Sequence, residues 1–295
     1  DVFPSTQELT KTVNKLMTGL EKESSDADVV EQYAGPVLLM GTGVVYVFSA
    51  AMLGANESIM ANDNIAKLTG YQFDRSMMSM DGKIGKSILN ESITIKATPK
   101  VKTFNDVRLF GSFEMDSEGI VPADELVVVD NGVLKSLLNN RTITHPSQTA
   151  NGYASGPGVL EITVAKKNTE EELKRMLIAR AKEEGLDYAM IVRDVPGLGI
   201  GLMNVYQVSV ADGSEELVRS AMFSDPGLKM LRRVMGASDQ YQAQNIASGF
   251  GPSRNIVSVI CPQALLLEEM EIVPFQMPTL KEEQYVSNPL VKGEQ

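Results

Sequence analysis

The chain has 295 residues, 43% hydrophobic and 22% charged, a balance typical of a folded globular protein rather than a disordered one. Its net charge of −11, with no local cluster of lysine and arginine, disfavours binding to nucleic acid and to anionic lipid. One histidine, His145, and one cysteine, Cys261, exclude an internal disulfide and leave few residues for a catalytic zinc site or a nucleophile–histidine pair.

The first predicted element is an amphipathic helix near the start of the chain. Ser5 and Glu8 have the spacing of a capping box, and the helix is expected to run from about Thr6 to Glu23. Apolar residues recur on one face of this helix at helical spacing: Leu9, Val13, Leu16, Met17 and Leu20. An acidic stretch follows, so we expect residues 1–32 to form an N-terminal helix and an acidic linker.

The next segment, from Ala34 to Asn56, carries no charged residue. A run of this length could cross a bilayer, but several glycines and a proline interrupt it. We therefore expect a buried strand over Val37–Met40, a turn at Gly41–Gly43 and a buried helix over Val44–Leu53. A membrane span is not expected.

Residues 56–90 show no clear periodicity. They contain four methionines, which adapt to irregular surfaces and are interpreted mainly as core filling in a long connection, with contact to a partner as the alternative. From Ser92 the pattern favours strands. Asn131-Gly132, between two β-rich runs, predicts a tight hairpin because both residues tolerate positive φ. Asp212-Gly213 predicts a second hairpin, joining residues 204–210 to residues 215–223.

Helices and strands alternate in the second half of the chain. Thr169 and Glu172 predict the capped start of a helix that ends at Gly185, and residues 187–192 should follow as a strand. Residues 228–238 are predicted to form a short helix, and residues 256–260 and 265–273 to form strands. The overall prediction is an α+β fold, with an antiparallel, strand-rich core over residues 33–275, a few covering helices, and an extended proline-containing tail over residues 276–295.

Local motifs do not identify a catalytic centre. The glycines at 197–201 and 41–43 lack the spacing of a phosphate-binding loop. Adjacent carboxylates, such as Glu215 and Glu216, are interpreted as solvated pairs beside turns. His145 lies in a polar loop without neighbours at metal-ligand spacing, so we expect an exposed loop histidine.

Four ordered motifs give the chain a family resemblance. They are Tyr33-x-Gly-Pro-Val-Leu, the segment 110–142 with its Asp-x-Glu-Gly, Asn-Gly and Val-Leu-Lys elements followed by Asn151-Gly152, the segment 212–219, and Cys-Pro-x-x-Leu-Leu-Leu-Glu-Glu-x-Glu from Cys261. In this order they resemble the C-terminal half of the TldD/PmbA family. The resemblance implies that family's C-terminal domain fold. It also implies kinship with bacterial and archaeal metalloproteases that trim small or unfolded peptides and form dimers, with metal in only one subunit of the best-known pair.

The resemblance also implies a degenerate active-site slot. Active members carry HExxxH directly after a Val-Leu-Leu strand, whereas here Met40 and Val45 stand at the histidine positions and Gly41 at the glutamate position. Methionine is a poor zinc ligand and valine cannot ligate, so no catalytic residue, metal or cofactor is expected. Cys261 falls beyond the position of the family's zinc-binding cysteine. Gly43, Asn151 and Gly152 are candidates for lining a peptide-binding cleft.

Three functional hypotheses follow. The favoured one is a non-catalytic subunit that forms a homo- or heterodimer with a TldD/PmbA-like subunit, or joins a separate chain carrying the N-terminal domain, and binds peptide as an added strand on a sheet edge near the slot. The second is an active peptidase that uses carboxylates with serine or threonine. The third is a structural or assembly component.

The expected location is cytoplasmic, which is the family default. An exported and processed protein is the alternative, because the chain starts at Asp1 and lacks the family's first half.

Overall fold

The computed structural model describes residues 5–25, 28–53, 58–60, 80–141, 149–195, 203–219, 221–225, 227–248 and 255–275. The α-helices in this part of the chain are α1 (Thr6–Ser25), α2 (Thr42–Leu53) and α3 (Glu170–Glu183). Single 3₁₀ turns lie at Asp81–Lys83 and Met230–Arg232. The strands are β1 (Asp28–Val29), β2 (Tyr33–Met40), β3 (Ile93–Ala97), β4 (Thr103–Phe104), β5 (Val107–Arg108), β6 (Leu126–Asp130), β7 (Val133–Leu134), β8 (Val159–Val164), β9 (Lys167–Asn168), β10 (Tyr188–Asp194), β11 (Asn204–Ser209), β12 (Glu215–Arg219), β13 (Ala221–Phe223), β14 (Val234–Ser238), β15 (Tyr241–Ser248), β16 (Asn255–Pro262) and β17 (Ala264–Pro274).

Two large sheets organise these strands. Sheet 1 has nine strands in the order β1-β12-β11-β10-β2-β17-β14-β9, with β13 paired to β17, and sheet 2 has six in the order β15-β16-β8-β3-β6-β7. The expected strand-rich α+β fold is confirmed. The sheets are mixed rather than purely antiparallel, since β1–β12, β2–β10, β8–β16 and β9–β14 pair in parallel.

Alternation along β2 explains the layering. Val37 and Leu39 point into a central cluster that also contains α2 and residues of sheet 2, whereas Leu38 points to the opposite face and packs with α3. Sheet 1 is therefore covered by α3 on one face and by α2 and sheet 2 on the other. The apolar α2 is a buried internal helix, and no helix among the described residues is long and apolar enough to cross a membrane.

Local sequence signals are confirmed where a specific turn or cap was predicted. Asn131 (φ 47°) and Gly132 (φ 77°) form the two-residue turn between β6 and β7. A Cβ at Gly132 would lie 2.5 Å from the Leu89 carbonyl oxygen. Both the positive φ and this lack of space therefore require glycine there. Thr169 and Glu172 form the complete capping box of α3, and Gly185 follows its end at φ 73°. The first helix begins at Thr6 as expected and runs two residues beyond Glu23.

One secondary-structure prediction is wrong, and a second is confirmed only in part. Residues 228–238 form a 3₁₀ turn and strand β14 instead of a helix, because pairing of β14 with β17 and β9 outweighs local helix propensity. Gly236 of this strand is packed so closely that a Cβ would lie 2.5 Å from Asn168 Oδ1. The hairpin at Asp212-Gly213 is confirmed, since β11 pairs antiparallel with β12, but the run 215–223 is divided because β13 pairs with β17. Residues 61–79, His145 and the tail 276–295 lie outside the described residues, and the predictions made for them stay predictions.

Candidate functional site

The slot lies at a corner where the two sheets meet. Met40, the last residue of β2, is opposite Ala264, and the backbone N of Gly41 donates to the carbonyl of Gln263, the residue that connects β16 of sheet 2 to β17 of sheet 1. Gln242 of β15 donates from Nε2 to the Gly41 carbonyl at 2.7 Å. Strands from both sheets therefore fix the turn between β2 and α2.

The side chains of Met40 and Val45, which the resemblance assigns to the two histidine positions, lie in different clusters. Met40 is half-buried and packs in the cluster between sheet 1 and α3. Val45 is fully buried in the central cluster on the opposite side of sheet 1. Neither a thioether nor an isopropyl group is a useful zinc ligand, and here the two do not face a common space.

Gly41 occupies a backbone conformation that disfavours any other residue. Its φ is +52°, and a Cβ would lie 2.8 Å from the Arg193 carbonyl oxygen and 3.0 Å from Asp194 Oδ1. A glutamate at this position would be strained by its backbone and crowded by its neighbours. The structure thus leaves no room for a larger side chain at Gly41.

The polar groups that the slot does contain bind one another. Thr42 Oγ1 accepts the backbone N–H of Val195 at 2.7 Å and donates to Asp194 Oδ1 at 3.2 Å. These bonds join the start of α2 to the end of β10, which runs parallel to β2, so that both strands end at the same edge. Sequence reasoning missed Asp194 and Gln242, because the strand pairing that brings them to the slot has no local signal.

Cys261 lies next to the slot through its cross-strand neighbour Gln242. Its thiol is fully buried, with Gln242 Nε2 at 3.9 Å from Sγ. Burial raises the pKa of Cys261 to about 12, which keeps the thiol protonated at neutral pH. Among the described residues, no group of three or more His, Cys, Asp and Glu side chains is arranged to hold a metal ion. The residues of the slot do not fit zinc.

The candidate cleft residues lie in two places. Asn151 bridges the segment after β7, accepting from Asn139 N at 2.7 Å and donating to the Leu137 carbonyl at 2.8 Å. Gly152 (φ +88°) lies against Pro122, whereas Gly43, in the first turn of α2, lies against Val192 and Leu39. The structure brings Asn151 and Gly152 together and gives Gly43 different neighbours. A shared role of the three in a peptide cleft stays a prediction.

A buried carboxylate organises the loop beside Asn151. Asp116 accepts backbone N–H groups from Glu118 and Ile120 on Oδ1 and from Ala154 on Oδ2, at 2.8 to 3.1 Å. Burial alone would raise the pKa of Asp116, but these three donors together lower it below the usual 3.8. The folded state therefore stabilises the ionised carboxylate of Asp116 more than the unfolded state does.

The substitution Asp116→Asn is expected to lower the free energy of unfolding at pH 7 by about 1–3 kcal/mol, because buried N–H groups lose a charged acceptor. Since the folded pKa lies below the unfolded value, the contribution of Asp116 is complete above about pH 4 and is lost as the pH falls further. Urea unfolding at pH 7 and at pH 3 measures both effects, with the exposed Asp106→Asn as control. A difference between wild type and Asp116→Asn that is the same at both pH values would contradict this assignment.

These observations define a class: a two-sheet α+β domain in which a buried apolar helix follows a central strand. The chain belongs to the PmbA/TldD family, since the model of the PmbA/TldA metallopeptidase C-terminal domain matches residues 54–273. Two curated relatives are described as metalloproteases. The one from Methanothermobacter thermautotrophicus is 45% identical over 62 residues (21% of this chain and 12% of the relative), and the one from Archaeoglobus fulgidus is 29% identical over 162 residues (52% and 36%).

Solved structures share the fold. A protein from Thermotoga maritima, described as a candidate modulator of a DNA gyrase, matches with a TM-score of 0.55 at 20% identity. The match covers 84% of this chain and 51% of the Thermotoga maritima chain. TldE from Thermococcus kodakarensis has a TM-score of 0.53 at 16% identity, with coverages of 88% and 55%. The chain thus spans about half the length of these solved proteins, and less of the two curated relatives.

Proposed function

We propose that this chain is a non-catalytic subunit of a peptide-processing assembly of the PmbA/TldD family. The observation that carries the proposal is the arrangement of the slot. Met40 and Val45 pack in separate apolar clusters, and Gly41 has no space for a side chain. The scaffold is kept, while the positions that would hold zinc and activate water serve packing.

The hydroxyl–carboxylate pair at the slot agrees with this proposal. Thr42 Oγ1 already accepts the N–H of Val195 while it donates to Asp194, so the pair acts as a structural link between α2 and β10. A nucleophilic threonine would have to break these bonds before it could attack a substrate. We therefore assign Thr42 and Asp194 a role in shaping the corner rather than in catalysis.

In the assembly, the chain would contribute a peptide-binding surface and contacts to a TldD/PmbA-like partner subunit. An extended peptide would pair with a sheet edge, since main-chain hydrogen bonds give affinity without strict sequence requirements. This suits a family whose relatives are described as metalloproteases. A cytoplasmic location is part of the same proposal.

Metal content and peptide turnover test the proposal. The purified chain is expected to hold far less than one zinc per molecule by elemental analysis and to leave an unstructured peptide library intact, with or without EDTA. Stoichiometric zinc with EDTA-sensitive cleavage would overturn it. Cleavage that resists EDTA would overturn it as well, and its loss in Thr42→Val but not in the matched Thr18→Val on the exposed face of α1 would locate the activity at the slot.

A further inference from the structure

A group of cationic side chains forms where the segment 83–90 packs against the segment 229–234. Asn90 joins the two segments: its backbone N donates to the Leu231 carbonyl at 2.9 Å, and its Nδ2 donates to the Arg232 carbonyl at 3.0 Å. Arg232 reaches in the other direction, since its Nε donates to the Ile88 carbonyl at 3.2 Å. Together the segments supply what we call the cationic cluster, which consists of Lys83, Lys86, Lys229 and Arg232.

Tight turns place the members of each segment side by side. The backbone N of Lys86 donates to the Lys83 carbonyl at 2.9 Å, and the backbone N of Arg232 donates to the Lys229 carbonyl at 3.3 Å. Residues three apart in such a turn lie on the same side of it. The cluster is invisible in the sequence, because the two segments are separated by more than half of the described fold.

The charge of the cluster is not balanced by neighbouring carboxylates. Lys86, Lys229 and Arg232 form no ion pair with the residues that the structure describes, whereas the adjacent Arg233 pairs with Glu269. Partial burial, together with the charges of Arg232 and Lys86, lowers the pKa of Lys83. The members of the cluster therefore repel one another within the folded chain.

This arrangement is unusual for a chain that carries 38 acidic residues and a net charge of −11. Holding like charges together costs free energy, and a carboxylate placed between them would remove that cost. Lys86, Lys229 and Arg232 are also exposed, so an external group can reach them. A positive patch of this kind on an acidic protein indicates a negatively charged partner.

The chemistry of the cluster favours carboxylates over phosphate. Three of its four members are lysines, which act as flexible point charges, and the Nε of Arg232 is already bonded to Ile88. The backbone N–H groups of Lys83, Lys86 and Arg232 are bonded to carbonyls and cannot cradle a phosphate. A nucleic acid would also extend beyond the screening length of about 8 Å and meet the acidic remainder of the surface, whereas a short acidic segment would not.

We propose that the cationic cluster binds an acidic segment of a peptide. Several carboxylates in a row can contact the lysines without a fixed geometry, and each contact relieves part of the repulsion among them. The inference deepens the proposed function, on which it rests, by giving the bound peptide a charge preference. It predicts that peptides with a run of Asp and Glu bind this chain better than neutral or basic ones.

Charge reversal inside and outside the cluster provides the test. The full chain is expected to bind a fluorescent hexaglutamate peptide, followed by anisotropy, and to release it as the salt concentration rises. Lys86→Glu/Lys229→Glu should raise the dissociation constant by about tenfold, since two attractive contacts become repulsive. Lys11→Glu/Lys182→Glu is the matched control, because it changes the net charge equally at exposed lysines of α1 and α3. The control should bind within about twofold of wild type.

Several outcomes would overturn the proposal. Equal losses in the two double variants would show that hexaglutamate responds to net charge alone, and a wild-type chain that does not bind it at about 1 mM would exclude the acidic peptide. Inorganic triphosphate or a DNA duplex that binds more tightly than hexaglutamate, with the affinity lost in Lys86→Glu/Lys229→Glu, would assign the cluster to phosphate. If that variant does not fold, Lys86→Gln/Lys229→Gln replaces it, with an expected loss of about threefold. Zinc-dependent cleavage would overturn the proposed non-catalytic function and leave this binding test unchanged.

Discussion

Replacing Val45 with histidine is expected to lower the free energy of unfolding by about 3 kcal/mol, rather than to create a zinc site. Val45 is 0% exposed and packs in the central cluster with residues of both sheets. Histidine adds volume and two polar nitrogens within this buried apolar cluster. Both effects are costly in a close-packed core, so the loss should exceed that of an ordinary surface substitution.

Chemical denaturation of the variant and of wild type measures this loss. Ala50→His is the matched control, since it adds the same side chain to a half-buried position of α2 and should cost clearly less. Titration of Met40→His/Val45→His with zinc provides the second readout, and no tight binding is expected. Wild-type stability together with stoichiometric zinc in the double variant would show that the two positions do converge.

Gly111→Ala is expected to destabilise the protein by a similar amount, about 3 kcal/mol. Gly111 crosses sheet 2 so closely that a Cβ would enter the van der Waals radius of the Gly158 carbonyl oxygen and lie 2.8 Å from the backbone N of Ser258. Both obstacles are backbone atoms, which cannot rotate away as a side chain can. The crossing segment would have to lift, breaking the hydrogen bonds of Gly111 N to Ser258 Oγ and of Phe110 N to Asn245.

Thermal and urea unfolding measure the effect of Gly111→Ala, and hydrogen exchange of the amides at 110 and 111 reports whether the segment lifts. Gly227→Ala is the matched control, because nothing lies within 4 Å of its Cβ position and its φ is not positive. That variant should be neutral or slightly stabilised. Equal stability of the two glycine variants would mean that the close crossing is not maintained in solution.

Sequence patterns predicted the elements that depend on local chemistry. The capping box of α3 and the Asn131-Gly132 turn are decided by the residues within them, and both are confirmed. Strand β14 was predicted as a helix, because its residues alone do not reveal the pairing with β17. Strand β15 was not predicted at all, since its mixture of glutamine, asparagine and alanine carries no clear alternation.

The same distinction applies to the candidate site. The strand, turn and helix around the slot could be predicted, because an apolar run interrupted by glycines has few alternatives. Met40 and Val45 pack in separate clusters because their side chains lie on opposite faces of sheet 1. The sequence does not show which face each side chain meets. Asp194 and Gln242 reach the slot only through pairing between strands far apart in the chain. Contacts that depend on pairing between distant strands could therefore not be predicted from local sequence patterns.

The pairing of β2 with β17 has a consequence for biosynthesis. These strands form seven register pairs in the middle of sheet 1, and beside them Gln32 bonds Glu271 across 239 residues of sequence. A ribosome must therefore release nearly the whole domain before sheet 1 can close. Until then the apolar strand β2 and helix α2 lack the surface that finally buries them. We expect the nascent chain to depend on chaperones during this interval, more than a domain assembled from neighbouring hairpins would.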